Sequence, residues 1–135
     1  MGRLQGDSLE YLFRPGNNKS QQSPSYAMLE FSPGVIGVGS CDGLILYNIK
    51  KRTTDTILKT LGYCYRTLWR YQDYIFIGSY GKGFYIWKNG KIKAMPLDKN
   101  NYLRYTHCFI ADNNGFCWIS SNRGLFKAKL SDLVD

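Results

Sequence analysis

The chain has 135 residues, of which 44% are hydrophobic and 16% aromatic, so it is long enough for one domain with a hydrophobic core and too apolar to be intrinsically disordered. Eighteen Lys and Arg residues against 10 Asp and Glu give a net charge of +8, which favours acidic partners such as nucleic acid, anionic glycans or an acidic protein face. The longest charge-free stretch, residues 31–41, contains Pro33 and three glycines, which excludes a transmembrane helix.

The first predicted unit spans residues 9–50 and follows residues 1–8, a leader or tag-like tail without an apolar signal segment. Residues 9–14 alternate apolar and polar side chains before Pro15-Gly16, a pattern that predicts an edge strand. Residues 17–25 contain no large apolar side chain and predict a surface loop. Strands are then expected at residues 26–31, 35–39 and 44–49, separated by glycine-containing turns.

The second predicted unit spans residues 53–90. Residues 54–61 are rich in Thr and Ile and favour a strand, with a short helix as the alternative. A strand at residues 64–70 and a hairpin at residues 74–87 follow. The hairpin, YIFIGSYGKGFYIW, is so continuously apolar that we expect both of its faces to be buried.

The third predicted unit spans residues 91–130 and precedes a C-terminal tail at residues 131–135. The Asn89-Gly90 pair predicts a type I′ turn, which leads into a strand at residues 91–95. Further strands are expected at residues 104–110, 116–120 and 124–129, with a turn rich in Asp and Asn at residues 112–115. In the tail, Ser131 is a candidate N-cap for a helix.

A turn glycine recurs at Gly43, Gly83 and Gly124, at intervals of 40 and 41 residues. Each glycine lies between two short apolar strands, so each marks one copy of a supersecondary unit. Four short antiparallel strands in a repeat of this length are typical of a β-propeller blade. The sequence therefore predicts an all-β fold of three four-stranded antiparallel blades in an incomplete ring, with a small β-barrel or a sandwich as the alternative.

The second and third units resemble the two-component regulator propeller repeat. The resemblance rests on residues 75–85, IFIGSYGKGFY, and residues 112–126, DNNGFCWISSNRGLF. These match the repeat's aspartate-containing turn, its Trp-hydrophobic-Gly-Thr strand and its Gly-Gly-Leu step. The chain departs from this pattern because Ser replaces the usual Thr in all three units, and because Phe76 and Gly37 stand at the position where Trp118 matches.

That repeat builds the periplasmic sensor propellers of hybrid two-component systems in gut Bacteroidetes, whose ligands are commonly glycan fragments. The resemblance, which covers about residues 9–130, therefore implies a non-catalytic, ligand-sensing segment of a bacterial signalling receptor that recognises glycans in the periplasm. Its export signal would lie outside this chain. The runner-up is a free-standing oligomeric propeller lectin or protein-interaction scaffold, and a basic nucleic-acid binder is the least favoured alternative.

In a propeller, the loops that enter the first strand of each blade and those that follow the second strand emerge on one face. Aromatic, basic and amide side chains in these loops could stack on sugar rings and bind carboxylates or sulfates. The alternative is that they form an ordinary polar surface. The candidate ligand-binding residues are Tyr63, Lys99, Tyr102 and Arg104 in the first set of loops, and Tyr80, Lys82, Asn122 and Arg123 in the second.

Three arginines fall in or near the predicted innermost strands. Arg66, Arg70 and Arg104 could line a central channel or could pair with carboxylates such as Glu30 or Asp73.

Catalysis, cofactors and metals are not expected. The chain has a single histidine, His107, which in a strand is typically a core or channel residue, and its four cysteines form no CxxC pair, so neither a catalytic triad nor a zinc site is indicated. Residues 78–83 lack the spacing of a phosphate-binding loop. Cys108 and Cys117 are expected on adjacent strands, where they could approach each other, although buried free thiols are the favoured state.

Three blades cannot close a ring, since propellers use about four to eight. An open set of blades leaves strand edges unpaired, so the expected partners are further blades or a second copy of the chain. If residues 9–14 form the outer strand of the last blade, they would close a six-bladed ring between two copies.

Overall fold

The computed structural model describes Leu12, residues 24–59 and residues 63–134. These residues form three antiparallel sheets of 4, 4 and 3 strands and no closed barrel, which confirms the all-β, incomplete arrangement of blades. The first sheet consists of β1 (Ser25–Ser32), β2 (Val35–Ser40), β3 (Gly43–Asn48) and β4 (Thr53–Leu58). The second consists of β5 (Cys64–Tyr71), β6 (Tyr74–Tyr80), β7 (Phe84–Lys88) and β8 (Lys91–Ala94). The third consists of β9 (Thr106–Ala111), β10 (Phe116–Ser121) and β11 (Gly124–Lys129), and a short helix, α1 (Leu130–Val134), follows it.

The strands group differently from the predicted units. The predicted unit boundaries placed β4 in the second unit and β8 in the third, whereas β4 pairs with β3 and β8 pairs with β7. The reason is geometric: a tight turn returns the chain beside the strand it has just left, and only a longer segment can carry it to another sheet. The third sheet has three described strands rather than four, and the strand predicted at residues 9–14 lies outside the described residues except for Leu12.

The turn between β7 and β8 follows the sequence prediction. Asn89 and Gly90 have φ values of 51° and 82°, and Lys88 lies opposite Lys91. Positive φ at both central residues is the requirement of a type I′ turn, so this prediction is confirmed.

The third sheet begins later than expected because residues 98–104 form a compact loop with a 3₁₀ turn at Tyr102–Arg104. The Asp98 carboxylate accepts backbone N–H groups from Leu103 at 2.9 Å, Tyr102 at 3.0 Å and Asn100 at 3.1 Å. Burial raises the pKa of Asp98, but these hydrogen bonds outweigh it and hold the pKa below its ordinary value.

The C-terminal helix also differs from expectation. It begins at Leu130, so Ser131 lies in its first turn rather than at the N-cap. Leu130 is buried against the third sheet, and its backbone N–H donates to the Gly115 carbonyl at 2.9 Å.

A buried serine stabilises the turn that carries the repeated glycine. Ser40 Oγ donates to the Gly43 carbonyl at 2.9 Å, and Ser79 Oγ donates to the Gly83 carbonyl at 2.8 Å. Each of these hydroxyls also accepts a backbone N–H from its own turn. In the third sheet the Ser121 hydroxyl likewise accepts a turn N–H, at 3.0 Å. The serine hydroxyl at this position therefore stabilises each of the three turns by hydrogen bonds to the turn backbone.

The second sheet is covered on both faces, as the hydrophobicity of residues 74–87 predicts. Ile75 and Ile77 pack against the first sheet, while Phe76, which points to the other side of β6, packs against the third. One hydrophobic cluster therefore lies between the first and second sheets, and another lies between the second and third sheets. The buried members are Phe31, Leu44, Tyr65, Ile75 and Ile77 in one, and Phe76, Phe84, Ile86, Phe109, Cys117, Ile119 and Leu130 in the other.

The first strands of the sheets, β1, β5 and β9, lie side by side, as the inner strands of blades do. Arg70 of β5 reaches across to β1 and donates from Nη2 to the backbone carbonyls of Glu30 at 2.5 Å and Phe31 at 3.1 Å. Of the two alternatives for Arg70, a channel residue or the partner of a carboxylate, the second is not seen among the described residues, because its acceptors here are backbone carbonyls.

One pair of cysteines forms a disulfide that the sequence did not indicate. Cys41 and Cys64 form a disulfide that links the β2–β3 turn to the start of β5 and so joins the first sheet to the second. Cys108 and Cys117 lie on adjacent strands and are free thiols, as predicted, but only Cys117 is buried and Cys108 is exposed. Burial raises the pKa of the Cys117 thiol to about 11. In the described part of the chain, no helix is both long enough and apolar enough to cross a membrane.

Candidate ligand-binding surface

A β-bulge occurs near the start of each of the three inner strands. In β1 the register jumps from Ser25 to Ala27, in β5 from Tyr65 to Thr67, and in β9 opposite Ser120 and Ser121. In each case one residue has no partner on the neighbouring strand, and a bulge of this kind changes the direction of that side chain. The three bulge residues are Tyr26, Arg66 and His107, and they lie 40 and 41 residues apart, as the repeat glycines do.

The bulge residues belong to one exposed surface, which we call the tyrosine–arginine surface. It also contains Tyr80 at the end of β6, Tyr105 just before β9, and Asn122 in the β10–β11 turn. These positions adjoin because the end of each second strand pairs with the start of the first strand in its sheet. The surface therefore draws side chains from all three sheets.

Arg66 lies at the centre of this surface. Its guanidinium carbon is 4.7 Å from the centroid of the Tyr26 ring and 4.3 Å from that of the Tyr80 ring. Both distances are within the range of a cation–π interaction, so the two rings hold the guanidinium group in place. Among the described residues, no carboxylate forms an ion pair with Arg66, which leaves its N–H groups able to bind an external acceptor.

The aromatic row continues towards the third sheet. The Tyr80 and Tyr105 rings meet edge to face with centroids 4.6 Å apart, and the centroid of the His107 ring lies 6.0 Å from that of Tyr80. His107 Nε2 is 2.5 Å from Asn122 Oδ1, so a hydrogen bond links these two side chains. Partly exposed rings, a guanidinium group and an imidazole thus form one continuous strip.

Four of the predicted residues lie at or beside this surface around the β6–β7 turn. Lys82 Nζ is 5.3 Å from the centroid of the Tyr63 ring. Arg104 Nε donates to the Gly81 carbonyl at 2.9 Å, while the N–H groups of Gly81 and Gly83 donate to the Arg104 carbonyl at 3.0 and 2.9 Å. The side chain of Arg104 is therefore used mainly to fix the turn that carries Tyr80 and Lys82.

The other four predicted residues fall into three groups. Asn122 is part of the surface, where it orients His107. Tyr102 packs instead against Phe126 of the third sheet, with centroids 5.7 Å apart, and so lies outside the surface. Lys99 and Arg123 are exposed, and within the residues the structure describes neither side chain makes a hydrogen bond or ring contact.

Sequence reasoning missed Tyr26, Tyr105 and His107 as binding residues, and it considered Arg66 only as a channel residue or as the partner of a carboxylate. A signal for the bulge residues was present, because each lies 17 residues before the repeat glycine of its unit. Across the described ranges, no group of three or more His, Cys, Asp or Glu side chains is placed to hold a metal ion.

No protein-family model matches the sequence, and no curated protein matches it. The solved structures that share its fold include two of the extracellular domain of BT4673 from B. thetaiotaomicron, described in one case as a hybrid two-component system and in the other as a one-component system. The first has a TM-score of 0.70 and 14% sequence identity over 86% of this chain and 17% of that one. The second has a TM-score of 0.68 and 15% identity over 84% of this chain and 16% of that one. The chain thus spans about a sixth of the length of these structures.

Proposed function

We propose that this chain is a non-catalytic sensing segment of the extracellular, periplasmic part of a bacterial two-component receptor, and that it recognises glycan fragments on the tyrosine–arginine surface. The fold shared with two extracellular domains of signalling proteins supports the sensing role. The disulfide between Cys41 and Cys64 is in keeping with an oxidising compartment such as the periplasm.

The observation that carries the binding proposal is the repeated bulge. Three bulges at the same position in three sheets direct Tyr26, Arg66 and His107 to one surface. Bulges cost ladder hydrogen bonds and are enriched where a side chain must be aimed at a ligand. Nothing in the packing of the two hydrophobic clusters requires these three side chains, since all three are exposed.

The chemistry of the surface suits an acidic sugar. Aromatic faces such as Tyr26 and Tyr80 stack on the apolar side of a pyranose ring, while the guanidinium group of Arg66 can bind a carboxylate or sulfate with two parallel hydrogen bonds. Lys82 and Arg104 add positive charge nearby, and long-range attraction would concentrate anionic ligands at this surface.

Titration calorimetry against neutral, uronic-acid-containing and sulfated oligosaccharides, chosen after an array screen, tests this proposal. We expect an acidic oligosaccharide to bind, to be recovered chemically unchanged, and to lose affinity about tenfold or more in Arg66→Ala and in Tyr26→Ala. Lys50→Ala removes one positive charge from the β3–β4 turn, at the opposite ends of the strands, and should change the affinity by less than about twofold. Absence of binding to every glycan, or equal losses in Arg66→Ala and Lys50→Ala, would contradict the proposal.

A second feature bears on what surrounds the chain. The face of the second sheet that packs against the third carries Trp69, Phe76, Phe84 and Ile86. By strand register, the corresponding residues of the third sheet are Ile110, Trp118, Leu125 and Lys127. Ile110 and Leu125 are 64% and 65% exposed.

This open face supports the proposal that a further sheet of the same kind packs on the third sheet, because its residues occupy the positions that form a hydrophobic interface one repeat earlier. Native mass spectrometry of the wild-type chain and of Ile110→Asp tests whether a second copy supplies that sheet. A dimer that becomes monomeric in the variant would favour the free-standing oligomer, whereas a monomer for both would assign the covering sheet to a longer receptor polypeptide.

A further inference from the structure

A basic and apolar cavity lies at the opposite end of the second sheet from the tyrosine–arginine surface. Its volume is about 370 Å³, and it opens between the β7–β8 hairpin and α1. Tyr74, which lines it, and Tyr80, which belongs to the tyrosine–arginine surface, are the two ends of β6. The cavity is therefore a separate site from the proposed glycan surface.

The floor of the cavity is apolar and its rim is positively charged. Ile86, Leu133 and Val134 supply the apolar side chains, and Lys88, Lys91 and Lys93 supply three ammonium groups. No described carboxylate lines the cavity; the neighbouring acids Asp73 and Asp132 are not among its lining residues. Lys88 is held beside Tyr74, with Nζ 3.4 Å from the hydroxyl oxygen and 4.6 Å from the ring centroid.

A second cavity of about 530 Å³ lies next to the first and shares Val134 with it. Its lining adds a further lysine, Lys129, and again includes no described carboxylate. The two cavities therefore flank the end of α1, and the positively charged rim continues from the second sheet to the third.

The strand beside the cavity has an unpaired edge. β8 is the last strand of the second sheet, and no described strand pairs with its outer side. In a two-residue hairpin the flanking residues, here Lys88 and Lys91, form a hydrogen-bonded pair, and such pairs recur at every second residue. The hydrogen bond from the Met95 N–H to the Phe84 carbonyl, at 3.0 Å, agrees with this alternation, because Met95 lies four residues after Lys91. The backbone groups of Ile92 and Ala94 consequently point away from β7.

We propose that this site binds an extended acidic segment of a protein partner, which adds to the edge of β8 and places apolar side chains in the cavity. The backbone of Ile92 and Ala94 would pair with the segment, as in other cases of strand addition. Its carboxylates would meet Lys88, Lys91 and Lys93, and its apolar residues would cover Ile86 and Leu133. Lysines on an edge strand oppose pairing with another copy of the same strand, so they select a partner of opposite charge.

Fluorescence anisotropy with labelled synthetic peptides tests the charge and apolar requirements. We expect the wild-type chain to bind a peptide in which Glu alternates with Leu and Val, and to bind neither a peptide in which Lys replaces Glu nor one in which Ser replaces Leu and Val. The double variant Lys91→Glu and Lys93→Glu should weaken binding by about tenfold or more. A control with the same change of charge, Lys50→Glu and Lys51→Glu in the β3–β4 turn, should weaken it by less than about threefold.

Strand addition has its own test, because Ala94→Pro removes an outward N–H without removing a hydrogen bond to β7. We expect this variant to keep the circular dichroism spectrum of the wild type and to lose peptide affinity, and the peptide to slow amide hydrogen exchange at Ile92 and Ala94 in the wild-type chain. Equal losses in both double variants would show attraction by net charge alone and would overturn the proposal. Binding to vesicles of anionic lipid with the same dependence on Lys91 and Lys93 would overturn it in favour of a membrane surface.

Discussion

Replacement of Phe76 by Ala tests whether the interface between the second and third sheets is the main source of stability. The Phe76 side chain is 0% exposed, and its ring centroid lies 5.0 Å from that of Trp69, 5.3 Å from that of Phe109 and 5.9 Å from that of Phe84. The substitution removes the ring at the centre of this aromatic cluster and leaves a cavity that three other rings cannot fill. Burial of this kind corresponds to about 3–5 kcal/mol in a Phe-to-Ala change, out of a total stability of about 5–15 kcal/mol for a domain.

The assay is urea unfolding followed by far-UV circular dichroism, with the free energy of unfolding taken from linear extrapolation. Phe76→Leu, which keeps much of the volume, should cost about 1–2 kcal/mol and provides a folded comparison if Phe76→Ala is too unstable to measure. Trp118→Ala is the matched substitution on the open face of the third sheet, where Trp118 has the register position of Phe76, and it should cost about 1–2 kcal/mol. If Phe76→Ala lowers the free energy of unfolding by less than about 1.5 kcal/mol, the interface between the second and third sheets is not the main source of stability. If Trp118→Ala lowers it as much as Phe76→Ala does, the face of the third sheet that carries Trp118 is not open.

Three further predictions concern local features. The Cys41–Cys64 disulfide closes a loop with a sequence separation of 23, so its reduction should lower the free energy of unfolding by about 3 kcal/mol. Urea titrations with and without reductant measure this difference, and a change below about 1 kcal/mol would contradict the prediction. Hydrogen bonds, first that from the Phe116 N–H, hold the pKa of Asp112 below its ordinary value of 3.8. The ionised carboxylate therefore stabilises the fold above pH 3.8, and this stabilisation is lost as the pH falls through the lower pKa of the folded state. In Asp112→Asn the melting temperature should fall less steeply at acidic pH than in the wild type, and an unchanged acid dependence would contradict this. Gly39→Ala should lower the free energy of unfolding by about 1–3 kcal/mol, because the added Cβ would lie 2.6 Å from a backbone carbonyl oxygen of β5. A melting temperature equal to that of the wild type would show that the first two sheets can move apart without loss of stability.

The sequence was a good guide to individual strands. Alternating and continuous apolar runs predicted most of them because burial on one or both faces of a sheet is recorded directly in side-chain order. The Asn89-Gly90 turn was equally clear, since few residue pairs tolerate positive φ at both positions. The sequence was a poorer guide to which sheet each strand joins. The residue pattern of β4 is compatible with pairing to β3 or to β5, and β4 pairs with β3 because the turn before it is short and the segment after it is longer.

The candidate binding surface was predicted in part. Tyr80, Lys82 and Asn122 were expected on one face because blade geometry brings those loops together, and the structure places them at or beside the tyrosine–arginine surface. Arg104 was also expected in the binding site; its side chain and its carbonyl fix the β6–β7 turn, and its guanidinium carbon lies 5.6 Å from the centroid of the Tyr105 ring. Tyr102 was also included, and it packs on Phe126 of the neighbouring sheet.

By itself, the amino-acid order determined that the chain is built of β-strands in a repeat of about 40 residues, because apolar periodicity and turn glycines are local properties of a sequence. Only the tertiary structure decided which side chains meet on the tyrosine–arginine surface. Tyr26, Arg66 and His107 project there because each is the extra residue of a bulge. A bulge exists only relative to the partner strand, so a single strand read alone does not reveal it.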